Sequence, residues 1–150
     1  MKEIGIGVIG TAFMGKAHSI AYASAATAFG GNLRPRLEMV CDQDPKIAEA
    51  KRKEMGFARC TTDYMDVVND PNVDLISICV PNSVHKEIAI AALAAGKHVW
   101  CEKPMSTNLA DSQAMVDAAA ASEQKTIVGY NYTQNPLVHA ARDMINEGVI

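Results

Sequence analysis

Nine residues near the N terminus, Gly7-Val8-Ile9-Gly10-Thr11-Ala12-Phe13-Met14-Gly15, join a short apolar run to an alanine-rich one. Glycines at this spacing, between a strand and a helix, make a cradle for a pyrophosphate. Gly10 permits the tight turn, Gly15 lets the helix pack closely on the strand, and the free N–H groups of Thr11, Ala12, Phe13 and Met14 face the phosphates. The middle glycine of G-x-G-x-x-G is replaced by Ala12. Such a cradle is completed by a carboxylate at the end of the second strand, which accepts hydrogen bonds from adenosine ribose hydroxyls. Asp42 supplies it, 32 residues after Gly10, and the Gly30 to Pro35 loop accounts for the excess over the usual ~20. A carboxylate there repels a 2′-phosphate, so NAD is expected over NADP. Asp42 merely opening the turn Asp42-Gln43-Asp44-Pro45 stays open as the alternative.

Two further groups end later strands at the edge of the sheet where open α/β folds bind ligands: Pro81-Asn82 and Glu102-Lys103-Pro104. Lys103 follows the core run Val99-Trp100-Cys101, and the proline after it biases its backbone to an extended form. An ammonium beside an oxidised nicotinamide ring has its proton affinity lowered, which makes Lys103 a candidate general acid or base. A lysine that is only solvated fits the same position. His18 and His85 lie on helices near the glycine turn and near Asn82, within reach of a cofactor, although lone helical histidines are usually structural. His98 and His139 carry no role. Cys41, Cys60, Cys79 and Cys101 contain no C-x-x-C pair, so reduced core thiols are expected and no metal site.

These groups must be held by elements, and the apolar pattern alternates between short β-branched runs and helical stretches, the mark of βαβ units. Strands are expected at Ile4 to Ile9, Leu37 to Cys41, weakly around Cys60, at Leu75 to Val80, Lys97 to Cys101 and Thr126 to Tyr130. Helices are expected at Met14 to about Ala28, Lys46 to Met55, Asp63 to Asn69, Val84 to Ala95, about Asn108 to Ser122, and Pro136 to Glu147. The expected fold is α/β, a doubly wound parallel sheet of the Rossmann dinucleotide-binding kind. Residues 1–125 form its body, and 126–150 are a last strand and helix leading out of it.

With 150 residues, 49% hydrophobic and 21% charged, the chain can bury one core, which excludes disorder and collagen-like repeats. Its net charge of −3 argues against nucleic acid as a partner. Lys2 and the apolar stretch Ile4 to Gly15 superficially resemble a secretory signal, but Glu3 and the glycines spoil it. No apolar run approaches the ~18 residues of a membrane span. A cytoplasmic protein is the simplest expectation.

Four separated blocks together are more specific than any one glycine motif: residues 7–18 (GVIGTAFMGKAH), 80–85 (VPNSVH), 95–104 (AGKHVWCEKP) and 129–132 (GYNY). They resemble the Gfo/Idh/MocA oxidoreductases, which include glucose-fructose oxidoreductase and inositol dehydrogenase. The resemblance implies a nicotinamide-dependent dehydrogenase acting on a secondary hydroxyl of a sugar, cyclitol or related polyol. It matches Lys103 to the family's catalytic lysine, Glu102 and Pro104 to its neighbours, Pro81, Asn82 and His85 to the segment running past the cofactor, and Asn131 to a position near the nicotinamide or substrate. Residues 13–22 look most like members acting on sugars and anhydrosugars. The resemblance also implies a further α/β domain, with a catalytic histidine and often an aspartate, beyond Gly148-Val149-Ile150, and homo-oligomers at full length. On this reading the present chain is one part of a longer enzyme. Two rivals explain less. A dinucleotide sensor without catalysis uses only the glycine turn and Asp42, and a class I methyltransferase accounts for neither Glu102-Lys103-Pro104 nor Pro81-Asn82.

Overall fold

The computed structural model describes residues 2–150. Strands and helices alternate as the apolar periods require: β1 (Lys2–Ile9), α1 (Phe13–Phe29), β2 (Leu33–Cys41), α2 (Pro45–Met55), β3 (Arg59–Thr61), α3 (Tyr64–Asn69), β4 (Leu75–Ile78), α4 (His85–Ala94), β5 (His98–Cys101), α5 (Leu109–Ala120), β6 (Thr126–Val128) and α6 (Pro136–Asn146), with short 3₁₀ turns at Asn82–Val84 and Asn131–Gln134. The strands form one sheet in the order β3-β2-β1-β4-β5-β6. Every pairing is parallel. The order reverses beside β1, and at such a switch point the strand ends open a crevice.

Both faces of the sheet are covered, so the strands alternate between two cores. Ile9, Met39, Cys41, Ile76, Ile78, Val99 and Cys101 pack beneath α3, α4 and α5. Ile6, Val8, Val40 and Cys79 lie on the opposite face with Phe57, against Met14 and Tyr22 of α1 and Met55 of α2. Helix α2 shows local control of its ends. The Asp44 carboxylate accepts from Lys46 N at 2.7 Å and Ile47 N at 3.2 Å, Pro45 fixes the first turn, and Gly56 ends it at φ 81°.

The differences from expectation have local reasons. β2 starts at Leu33, so Pro35, expected in a loop, pairs with Ile4 inside the sheet. A proline with no N–H is tolerated there because β3 joins β2 only from Met39 onward, leaving that flank open. Further along, the β1–β2 register shifts between Ile6 and Gly7, and Glu38, three residues after Pro35, becomes the extra residue of a bulge. β4 stops at Ile78. Cys79 N still donates to Ile9 O at 2.8 Å, but Pro81 brings no N–H to continue the ladder. The same proline opens a 3₁₀ turn, so α4 begins at His85 and not at Val84. β6 pairs with β5 and completes the sheet. α6 has no buried residue. Among the described residues no helix is long and apolar enough to cross a membrane.

Candidate functional site

The turn between β1 and α1 is shaped by two glycines. Gly10 sits at φ 96°, and a Cβ there would lie 2.5 Å from the Cys79 carbonyl oxygen. At Gly15 a Cβ would stand 2.0 Å from the carbonyl oxygen of Gly10, so only glycine lets α1 settle onto the turn. Ala12, where the fingerprint departs, is the N-cap of α1 at φ −70°. An alanine adopts that backbone without strain, and its methyl group is exposed.

α1 has no side-chain cap and no acidic residue in its first turn. Asp44, Asp63, Asn108 and Asn135 cap α2, α3, α5 and α6 from their side chains. The N–H groups at the start of α1 are therefore left for an external acceptor, at the positive end of a helix of 17 residues.

In front of this helix start lies a cavity of about 600 Å³, lined by Gly10, Thr11, Ala12, Asp42 and Pro81 among others. Asp42 is half-buried, accepts the Thr11 hydroxyl on Oδ2, and receives Asp44 N on Oδ1 at 3.3 Å. Asp42 thus opens the turn, and it also lines the cavity. The wall opposite carries Tyr64 and Glu87, whose hydrogen bond ties α3 to α4 and pushes the Tyr64 phenol up to about 12. Sequence reasoning missed both, because two residues 23 apart on separate helices leave no periodic signal. A shallower depression of about 800 Å³ beside β3 is lined by Glu49, Arg52, Arg59 and Asp70. Its charges already pair with one another, so it offers a charged ligand little.

The remaining predicted residues divide. Pro81, Asn82, Lys103 and Asn131 all follow the C-terminal ends of strands on the edge that carries the cavity. Lys103 is exposed, and its ammonium forms no ion pair among the described residues. Phe13 is 82% exposed at the helix start. The side chain of Met14 packs into the core beneath α1, so only its backbone N–H faces the cradle. His85 and Glu102 are buried, and their side chains are spent within the protein. His85 places Nε2 2.9 Å from Val80 O and Nδ1 3.1 Å from Pro104 O.

Glu102 belongs to a polar chain that runs beneath α1. Its Oε1 lies 2.9 Å from His18 Nε2, His18 Nδ1 is 3.1 Å from Ser77 Oγ, and Ser77 Oγ is 2.7 Å from the Tyr22 hydroxyl. Burial pushes the Tyr22 phenol up to about 12, against a lowering by Ser77. The Trp100 ring meets His18 edge-on at 5.2 Å between centroids. Gly129 makes room for the carboxylate, since a Cβ there would be 2.5 Å from Glu102 Oε1. His18 and Glu102 were legible as candidates. Ser77 and Tyr22 were not, although a serine in the middle of the apolar run Leu75 to Val80 is the signal that marks a buried polar partner.

A family profile described as an oxidoreductase family with an NAD-binding Rossmann fold matches residues 4–130. The chain belongs to the Gfo/Idh/MocA oxidoreductase family. The match contains the glycine turn, Asp42 and Glu102-Lys103-Pro104, so the resemblance carried by the four sequence blocks holds. Levoglucosan dehydrogenase of Pseudarthrobacter phenanthrenivorans is 38% identical over 100% of this chain and 39% of its own length. An inositol 2-dehydrogenase/D-chiro-inositol 3-dehydrogenase of Lactiplantibacillus plantarum is 31% identical over 97% of this chain and 40% of its own. The structure of a levoglucosan dehydrogenase in complex with NADH and levoglucosan superposes with a TM-score of 0.92, covering 98% of this chain and 40% of that one at 37% identity. The chain thus spans about two fifths of the length of these Gfo/Idh/MocA relatives.

Proposed function

We propose that the chain is the cofactor-holding part of an NAD-dependent dehydrogenase that acts on a secondary hydroxyl of a sugar, anhydrosugar or cyclitol. The observation that carries the reading is the pairing of an uncapped α1 N terminus with a carboxylate, Asp42, across one cavity. The residues present fit a dinucleotide. The first-turn N–H groups and the Cβ-free turn at Gly10 would take the pyrophosphate, and Asp42 would take the adenosine ribose hydroxyls. Asp42, Asp63 and Glu87 around the same cavity disfavour a 2′-phosphate, which supports NAD over NADP. The nicotinamide, when bound, supplies the hydride acceptor.

Lys103, after β5 on the same edge, is the group of this chain that handles the proton. Its side chain has no ion pair to break among the described residues, so it is free to hydrogen-bond a substrate hydroxyl, and as the neutral amine it takes the proton that leaves that hydroxyl and becomes the ammonium. Asn82 and Asn131 offer neutral amide hydrogen bonds on that edge. The further α/β domain implied by the family resemblance would supply a histidine as the second proton-handling group and most contacts to the polyol. Association of the whole enzyme through that domain, and residence in the reducing cytoplasm, belong to the same reading. Four free thiols, among the described residues, fit such a compartment.

The test is Lys103→Met in the full-length enzyme. The reading expects turnover to fall by about 10²- to 10⁴-fold, the range of a lost general acid or base, with cofactor affinity within a factor of two or so. Unchanged turnover would remove Lys103 from the chemistry.

A further inference from the structure

Four histidines occur in the chain, and two of them are buried: His18 at 8% and His85 at 1% exposure. They come from different helices, α1 and α4, and on opposite faces of the sheet. Yet both end on the residues that flank Lys103 in sequence. His18 Nε2 meets the Glu102 carboxylate at 2.9 Å, and His85 Nδ1 meets the Pro104 carbonyl at 3.1 Å. We propose that His18 and His85 are positioning residues for Lys103, gripping the backbone before and after it, the first through Glu102 and the second through the Pro104 carbonyl.

The Lys103 side chain has no hydrogen bond or ion pair among the described residues. It is exposed, and its four-methylene stem is flexible, so where its ammonium can reach is decided by the backbone from which it starts. That backbone is held by groups that cannot easily move. Glu102 is 6% exposed, and a carboxylate at that depth is costly unless bonded. Its oxygens take His18 Nε2 and, at 3.3 Å, the N–H of Lys103 itself. The bond to His18 therefore orients the same carboxylate that steadies the Lys103 amide.

The far side of the His18 ring is anchored by Ser77, itself bonded to Tyr22, so the ring cannot rotate away without breaking a second buried bond. Gly129 keeps the space the carboxylate occupies. His85 performs the complementary task on the other side. Its ring lies between Val80 O at 2.9 Å and Pro104 O at 3.1 Å, bridging the segments that leave β4 and β5. Both atoms are acceptors, so one ring N–H serves one carbonyl and a protonated ring serves both.

The arrangement has a consequence for the cofactor. His18 projects from the helix whose first turn faces the cavity, and a helix moves as a rigid body over such a length. A dinucleotide that seats against the start of α1 is thereby placed in register with Lys103 through one ring and one carboxylate. The inference rests on the reading of Lys103 as the proton-handling group beside a nicotinamide.

The test uses the chain labelled with ¹⁵N and with ¹³C at lysine Cε, Lys103 being assigned by the signals lost in Lys103→Arg. In the absence of cofactor, the Lys103 amide of the unsubstituted chain should be as rigid as the sheet, with an order parameter of about 0.85, and should loosen toward about 0.6 in His18→Leu and His85→Leu while β1 and β4 amides stay unchanged. With NAD⁺ added, the Lys103 Cε signal should shift, and the shift should fall by at least half in both leucine variants. Affinity for NADH, read separately by calorimetry, should stay within threefold. His18→Gln, whose amide can still donate to Glu102, should restore most of the shift. Should His18→Leu fail to fold, the double variant His18→Leu with Glu102→Leu removes the stranded charge, and the same loss is expected in it. A rigid Lys103 amide and a full Cε shift in folded leucine variants would overturn the proposal. A failure of NADH to bind the unsubstituted chain would instead overturn the cofactor reading, while the rigidity comparison would still decide the positioning role.

Discussion

Replacing Asp42 by Asn removes one negative charge and little else. Asp42 is half-buried, and its two oxygens accept from the Thr11 hydroxyl and from Asp44 N. The amide oxygen of Asn can keep the bond to Asp44 N, and the Thr11 hydroxyl can turn to accept from the new NH₂. The fold should therefore lose no more than about 0.5–1.5 kcal/mol, the net worth of one ordinary hydrogen bond. Binding should lose more, because bonds from ribose hydroxyls to a charged acceptor are worth about 1.5–3 kcal/mol. That range converts to an NADH affinity weaker by about 10- to 100-fold. NADPH should respond in the opposite sense, since two unit charges at ~4 Å repel by about 4 kcal/mol at an effective dielectric of 20. Asp63 and Glu87 also line the cavity and remain charged, so the preference for NADH should narrow or vanish without becoming a strong preference for NADPH. Calorimetric titration of both cofactors into both chains reads these changes. An NADH affinity unchanged in Asp42→Asn, with NADPH equally unaffected, would refute the placement of the ribose at Asp42.

Gly15→Ala puts a Cβ 2.0 Å from a backbone oxygen, so α1 must shift. A loss of about 1–3 kcal/mol, or roughly 2–12 °C in Tm, should appear by thermal melting together with weaker NADH binding, and a full-stability variant would contradict the close approach. Burial, with Glu102 adding to it, pushes the Cys79 and Cys101 thiols up to about 12, and burial with Asp42 does the same at Cys41, against a usual value of 9.0. The folded state thus keeps protons that the unfolded chain releases, so this stability is whole below about pH 9 and drains away as pH rises toward 12. Melting temperatures followed from pH 7 to 11 should be flat at first and then fall, and a Tm still flat at pH 11 would contradict it. Ala12→Gly should leave NADH affinity within about twofold, because Ala12 already sits at φ −70° without strain. A tenfold gain on that change would mean that the methyl group obstructs the cofactor.

The parts of the fold that follow from local pattern were legible in the sequence. The run Leu75 to Val80 marks a strand, Asp44-Pro45 marks a helix start, and Gly56 marks its end. Edges were less so, because they depend on neighbours. Pro35 lies in β2 only because β3 does not reach that far along it, which no window of sequence around Pro35 reveals. The shape of the β1–α1 turn was legible for a similar reason of scale: Gly10 to Gly15 is contiguous, and Asp42 comes at a predictable strand end. The grip on Lys103 was not. His18 and Glu102 are 84 residues apart, and His18 and Ser77 are 59 apart, so their meeting depends on the order of strands and on which face α1 covers. The type of residue left two readings open. A helical histidine near a cofactor turn fits a ligand contact or a structural role, and the structure turns His18 and His85 inward onto Glu102 and Pro104.

The most direct test of the cofactor site is a titration with NADH that follows energy transfer from Trp100, the chain's one tryptophan, two positions before Glu102. The account predicts saturable transfer with NADH, weaker transfer with NADPH, and a weakened NADH curve in Asp42→Asn. No transfer with either nucleotide, with calorimetry agreeing that neither binds, would contradict a cofactor cradle built from Gly10, the start of α1 and Asp42.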